Sequence, residues 1–158
     1  MHLYRNLGGE MMKHYEPKLV CFSCKFGWGY LTDEKTLASK VKNWIPVVCS
    51  GKIDTVHVIN AFRSGADGVL ILGCPEGHCH FQDGNYQTSK KVYLLQKVLD
   101  AYGIERKRVR MQFSLDSEGK KIPLLINEMS EGIRHLGPLR KFRSEGAEGK
   151  KDEKGVNP

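Results

Sequence analysis

Six consecutive residues, Gly68-Val-Leu-Ile-Leu-Gly73, carry no polar side chain. Successive residues of a strand point to opposite faces of the sheet, so a half-solvated strand alternates apolar and polar positions. A strand with no polar position is covered on both sides, as the central strands of parallel sheets are. Parallel neighbours cannot be joined by a tight turn and need a crossover, usually a helix. This run therefore demands helical segments before and after it.

The rest of the chain supplies them. Lys18–Phe22 reads as a first strand. Thr32 or Asp33 can cap a following helix with Leu37, Val41 and Trp44 on one face. Ile45–Cys49 reads as a second strand, with Pro46 near its start, where proline is tolerated. Asp54 caps a helix that turns Val56, Ile59 and Phe62 inward and ends at Gly65, just before the Gly68 run. A long helix from about Tyr86 to Tyr102 presents Val92, Leu95, Val98, Leu99 and Tyr102 to the core and stops at Gly103. Val109–Leu115 is a fourth strand, and a last helix, about Ile122 to Leu136, buries Leu125, Ile126, Met129 and Ile133. Strand and helix in alternation define a single-domain α/β fold: an open, mostly parallel sheet of about four strands in flavodoxin-like order, 2-1-3-4, with helices on both faces.

At 158 residues the chain is long enough for one domain with a real core. Residues 1–17 are expected to be an N-terminal extension and residues 18–138 the folded domain. Residues 139–158, rich in glycine and charge, are expected to be disordered or ordered by a partner. The formal net charge is +7, concentrated partly in that tail and partly in Glu105–Arg110. No basic stretch is interleaved with aromatic residues, so nucleic-acid binding is not expected. Arg106 to Arg110 and the tail read instead as docking surfaces for a protein partner. No apolar run has membrane-spanning length, and the N-terminus lacks a signal-peptide core, so a cytoplasmic protein without membrane contact is expected.

Five cysteines give the fold its chemistry. Cys21 and Cys24 close the first strand, Cys49 ends the second, and Cys74 and Cys79 follow the third. In the 2-1-3-4 order these strands are neighbours, so their carboxyl ends bring sulfur within roughly 10 Å, at the edge where open α/β sheets bind ligands. A cysteine inside a strand, such as Cys21 or Cys49, often serves only as a small hydrophobe. Cys24, Cys74 and Cys79 lie in glycine-containing loop sequence with no core to fill.

Several thiol chemistries fit this pattern poorly. A phosphatase nucleophile wants an arginine six residues on, and here those positions are Gly27, Tyr30, Thr55, His80 and Asn85. A dithiol–disulfide oxidoreductase using Cys21 and Cys24 is the alternative reading, although the glycines after Cys24 start a helix badly. Structural zinc usually takes two short cysteine pairs, and only one is present. An iron–sulfur cluster fits best, since it takes four thiolates and a glycine-rich wrap such as Phe-Gly-Trp-Gly-Tyr or Gly-Cys-Pro-Glu-Gly-His-Cys. Four of the five cysteines suffice. His78 and His80 flank Cys79 and keep a mixed site open, though each reads first as a loop residue. Asp83 and Asn85 read as turn formers and helix caps.

The segments CFSC, VVCSGKID, AFRSGADGVLILGC, GHCHFQDGNY and YGIERKRVRMQFSLDSEG resemble the delta subunit family of the methyl-viologen-reducing hydrogenase over about residues 18 to 138. The resemblance implies an electron-transfer subunit with a two-iron two-sulfur cluster. It would relay electrons from a hydrogenase or a formate dehydrogenase to heterodisulfide reductase. Carried over position by position, Cys21, Cys24, Cys49, Cys74 and Cys79 match the family's cysteines, and the resemblance implies that four of them bind the cluster. After the first pair this chain departs from the family pattern, reading KFGWGYLTDEKTLASK.

Overall fold

The computed structural model describes residues 15–40 and 42–140. The first 14 residues, Val41 and the charged tail from residue 141 lie outside the described residues, as do most of the expected N-terminal extension and nearly all of the tail.

Four strands, β1 (Leu19–Cys24), β2 (Trp44–Val47), β3 (Gly68–Gly73) and β4 (Val109–Phe113), form one parallel sheet in the order β2-β1-β3-β4. Four α-helices make the connections and close the chain: α1 (Glu34–Lys40), α2 (Thr55–Arg63), α3 (Gly84–Ala101) and α4 (Lys121–Leu136). The expected fold class and strand order are both found.

The apolar run behaves as its composition demands. Val69, Leu70, Ile71 and Leu72 have no exposed surface. Val69 and Ile71 pack with Val58 and Phe62 of α2 and Val92, Leu95 and Leu99 of α3. Leu70 and Leu72 pack on the opposite face with Ile122, Met129 and Ile133 of α4. Helices thus cover both faces, each through an i, i+3/i+4 stripe. The caps follow the sequence as well. The Asp33 carboxylate accepts from the Thr36 amide at 3.0 Å, and the Asp54 carboxylate accepts from the Thr55 amide.

Several expectations need correction. Trp44 opens β2 instead of lying on the preceding helix. It pairs in register with Cys21, and its indole N–H donates to Ser23 Oγ at 2.7 Å. Asn43, with φ 55, makes the bend that permits this, a backbone conformation asparagine tolerates. β2 ends at Val47, so Cys49 lies beyond the strand. Val56, Val98 and Tyr102 are exposed, because the buried stripes of α2 and α3 fall on Val58/Phe62 and Val92/Leu95/Leu99.

Within the basic stretch at 106–110, Arg108 is turned away from any docking face, whereas Arg106 and Lys107 are exposed. Arg108 is buried, with its guanidinium donating to Glu105 Oε2 and to the carbonyls of Asp67 and Gly137. Arg106 pairs with Asp100 and Arg110 with Glu128. Leu139, which the sequence places at the head of the tail, is buried in the α2/α3 face of the core. Its amide donates to Asp67 Oδ1 at 2.9 Å, and Asp67 Oδ2 accepts from the Lys18 amide at 3.0 Å.

Candidate metal centre

At the carboxyl edge of the sheet, four thiols from three separate pieces of chain meet in two pairs. Cys24 Sγ, at the end of β1, lies 3.6 Å from Cys74 Sγ, one residue past β3. Cys49 Sγ, past β2, lies 3.8 Å from Cys79 Sγ, in the loop before α3. The pairs sense each other, since Cys49 and Cys79 both contribute to raising the Cys74 thiol. Cys21 does not join them. It is the third residue of β1, opposite Trp44 and Leu70, and packs in the α4 face of the core. Burial alone pushes its thiol up to about 12, where it stays protonated at neutral pH. The expectation that all five sulfurs share one edge thus holds for four, because Cys21 precedes the strand end by a full three residues.

Each cysteine is held by local chain chemistry. Cys49 precedes a short 3-10 turn, Ser50–Lys52, and its sulfur accepts from the Gly51 amide at 3.4 Å. Beyond Cys24 the chain folds back on itself, the amides of Gly27 and Trp28 both donating to the Cys24 carbonyl. Trp28 is buried and its indole N–H donates to the Gly73 carbonyl at 3.1 Å, fastening the β1 loop to the end of β3. The departure after the first cysteine pair is therefore a tryptophan-anchored loop that also pairs with Asp116.

The loop from Cys74 to Cys79 is organised by Asn85. This side chain is buried in the first turn of α3 and donates to the carbonyls of Cys74, at 2.8 Å, and Pro75, at 2.7 Å. Sequence reasoning gave Asn85 only a turn or cap role. Asp83 holds the N-cap position of α3 without a side-chain capping bond.

The electrostatics separate the four thiols. Burial, then the neighbouring Cys24, pushes Cys74 up to about 12. Burial raises Cys49, partly offset by the Gly51 amide. Burial acts on Cys79 too, but the amides of Asn85, Phe81 and Gly84, with the Cys49 thiol, outweigh it and hold Cys79 below the ordinary thiol range. A nest of amides at a helix start is favourable surroundings for a thiolate.

Three glycines leave the sulfurs room. A methyl group at Gly84 would collide with Cys49 Sγ and sit 3.5 Å from Cys79 Sγ, and one at Gly27 would sit 2.7 Å from Cys74 Sγ. Gly51 has no room for one either, because Gly84 lies 2.7 Å from that position. Four soft donors, backbone amides aimed at sulfur and a cradle without Cβ atoms together fit an iron–sulfur group. Among the described residues no three histidine, cysteine or carboxylate side chains gather around a single ion position. His80 instead stacks on Phe26, ring centroids 4.3 Å apart, and Phe81 packs edge-on against both. All three rings are exposed, at the rim of the thiol site.

Fold and site together define a class: a small parallel α/β domain that gathers cysteines at the carboxyl edge of its sheet. The chain belongs to the family of the methyl-viologen-reducing hydrogenase delta subunit, which it matches over residues 20–137. It is 36% identical over 134 residues to the iron-sulfur subunit of the vhc F420-non-reducing hydrogenase of Methanococcus voltae, covering 81% of this chain and 92% of that one. It is 34% identical to the iron-sulfur subunit of the F420-non-reducing hydrogenase of Archaeoglobus profundus, covering 82% and 98%. It is also 30% identical over 128 residues to a segment of one subunit of the ferredoxin/F(420)H(2)-dependent CoB-CoM heterodisulfide reductase of Methanosarcina acetivorans. That match spans 78% of this chain but 16% of the larger protein. Among the described residues no helix is long and apolar enough to cross a membrane.

Proposed function

We propose that the chain is an electron-transfer subunit whose two-iron two-sulfur cluster is held by Cys24, Cys49, Cys74 and Cys79, with Cys21 the spare thiol. The observation that carries this reading is the pairing of the sulfurs, at 3.6 Å and 3.8 Å. Two thiolates on one tetrahedral metal, each about 2.3 Å from it, are about 3.8 Å apart. A two-iron cluster needs two such pairs, one for each iron. A four-iron cluster takes one thiolate per iron and holds all four apart, and a lone zinc would want all four sulfurs around one point.

The cluster would supply reversible one-electron exchange. The protein's part is to hold and shield. Cys24 and Cys74 come from the buried side of the edge, and Trp28 and the Asn85 bonds fix the chain that carries them. The amides around Cys79 and the Gly51 amide on Cys49 stabilise negative charge on sulfur. Cys79 lies at the half-exposed rim beside Phe26, His80 and Phe81, the face that a redox partner would cover.

Electrons would pass from a hydrogenase, or a formate dehydrogenase, to heterodisulfide reductase, in the reducing cytoplasm. The names of the relatives support the hydrogenase and heterodisulfide reductase ends of this relay, and the relative that carries the domain inside a heterodisulfide reductase chain supports direct contact with the acceptor. The dithiol alternative is less well supported, because Cys24 faces Cys74 instead of Cys21.

Anaerobic purification with an absorption spectrum and iron and sulfide analysis tests the proposal. The expected result is a brown protein with about two irons and two sulfides per chain, as two thiolate pairs require. A protein that stays iron-free after reconstitution would remove the reading.

A further inference from the structure

Ser50, between Cys49 and Gly51, is the one member of the 3-10 turn that is wholly buried. Its hydroxyl oxygen has no hydrogen-bond partner among the described residues. Buried hydroxyls are almost always satisfied, so an orphan needs an explanation. Its surroundings offer none. The oxygen lies 3.2 Å from where a Cβ on Gly73 would be, and the other groups near that point are the Met111 methyl and the Phe113 ring. The Gly73 carbonyl already accepts from the Trp28 indole and the Ser114 amide. None of the four thiol sulfurs accepts from Ser50. Yet Ser50 follows Cys49 in the chain, and Gly73, whose Cβ position its hydroxyl approaches, precedes Cys74; these two cysteines belong to different pairs of the thiol site.

We infer that the Ser50 hydroxyl donates a hydrogen bond to an inorganic sulfur of the cluster, and so sets its reduction potential. The inference rests on the proposed two-iron cluster. Sulfur is the acceptor chemistry that the site would bring within reach, and the protein supplies no competing acceptor among the described residues. Reduction adds negative charge that spreads over the sulfurs, so a donor aimed at one of them favours the reduced state and raises the potential. A glycine at position 73 is part of the same arrangement, because any side chain there would occupy the space that the hydroxyl and Met111 share. Ser50 is a positioning and tuning residue, with no covalent role.

The test compares wild type with Ser50→Ala after anaerobic reconstitution. Iron and sulfide counts come first, then the midpoint potential by EPR-monitored titration, and the deuterium shift of the iron–sulfur Raman bands. The inference expects unchanged iron content in Ser50→Ala, a more negative midpoint, and a smaller deuterium shift. In the iron-free form Ser50→Ala should be at least as stable as wild type, because an unpaired buried hydroxyl has been removed. A loaded variant with wild-type potential and Raman shifts would overturn the inference while leaving the cluster in place. Wild-type protein that binds no iron would instead overturn the proposed function. Should Ser50→Ala fail to load, a crystal structure of loaded wild type decides. Ser50 Oγ within hydrogen-bond reach of a cluster sulfur upholds the inference, and Oγ bonded to a buried water or to nothing ends it.

Discussion

Cys24 and Cys74 are fifty residues apart in the chain, yet their sulfurs stand 3.6 Å from each other across the ends of adjacent strands. No disulfide is formed, for sulfurs so bonded are about 2.05 Å apart. The sheet holds them as a facing pair of thiols, and Cys49 and Cys79 repeat the arrangement at 3.8 Å.

Substitution of single cysteines should therefore divide four to one. Cys24→Ser, Cys49→Ser, Cys74→Ser and Cys79→Ser should each abolish or strongly alter the visible absorption of the reconstituted protein. Cys21→Ala should keep both iron and spectrum, and lose about 1 kcal/mol of stability for the small cavity it leaves. A Cys21 variant that cannot load iron would place the spare thiol elsewhere.

The glycine cradle makes a second test, in which size is the only variable. Gly84→Ala drives a methyl into Cys49 Sγ, and Gly27→Ala drives one to 2.7 Å from Cys74 Sγ. Both should cut iron incorporation severely, with the helical content by circular dichroism largely kept. Gly132→Ala is the control. Nothing lies within 4 Å of its Cβ position, and it sits inside α4, so the change should stabilise the protein by about 0.8–1 kcal/mol and leave iron content unchanged.

Asn85→Ala removes both bonds that fasten the Cys74–Cys79 loop and leaves the Cys74 and Pro75 carbonyls without that donor. A cost of about 1–3 kcal/mol in urea unfolding is expected. Faster hydrogen exchange should be confined to the loop and the first turn of α3. Uniform acceleration across the sheet would show that Asn85 supports the whole fold instead of the loop.

Acid should reveal the Asp54 cap. The Thr55 amide and hydroxyl both donate to its carboxylate and hold it below the usual carboxylate range. A depressed folded-state pKa stabilises the protein above the unfolded pKa, and that contribution disappears as the pH falls through the folded value. Asp54→Asn, an equally good cap residue, should show a shallower loss of stability on the way down and converge with wild type only once the pH has fallen below the usual carboxylate range. Thermal melts from neutral pH down to about pH 2 make the comparison.

The fold was legible because its signals are dense and local. Gly68–Gly73 could only be a covered strand, and Asp33, Asp54 and Gly103 mark helix ends that a single residue type can announce. The gathering of cysteines at one edge followed from strand order. Cys21 was misplaced because the sequence reading ended the first strand at Phe22, whereas β1 runs on to Cys24 and leaves Cys21 three residues inside it. Trp28, Arg108 and Ser50 were not legible at all, and Asn85 was legible only as a turn former or cap. Trp28 and Arg108 act through partners far away in sequence, Gly73 and Gly137, and no local pattern announces such a partner.

Asp67 holds the amide of Lys18 with one carboxylate oxygen and the amide of Leu139 with the other. It stands just before β3, at the amino edge, on the far side of the sheet from the thiols. Lys18 and Leu139, near the two ends of the described residues, therefore meet at one spot, remote from the thiol edge. A module with its two ends side by side can be spliced into a longer polypeptide, or carry new extensions, without disturbing what its opposite rim binds. The Methanosarcina acetivorans relative, in which the matching segment makes up 16% of a much larger protein, is built in the way such a plug-in architecture permits.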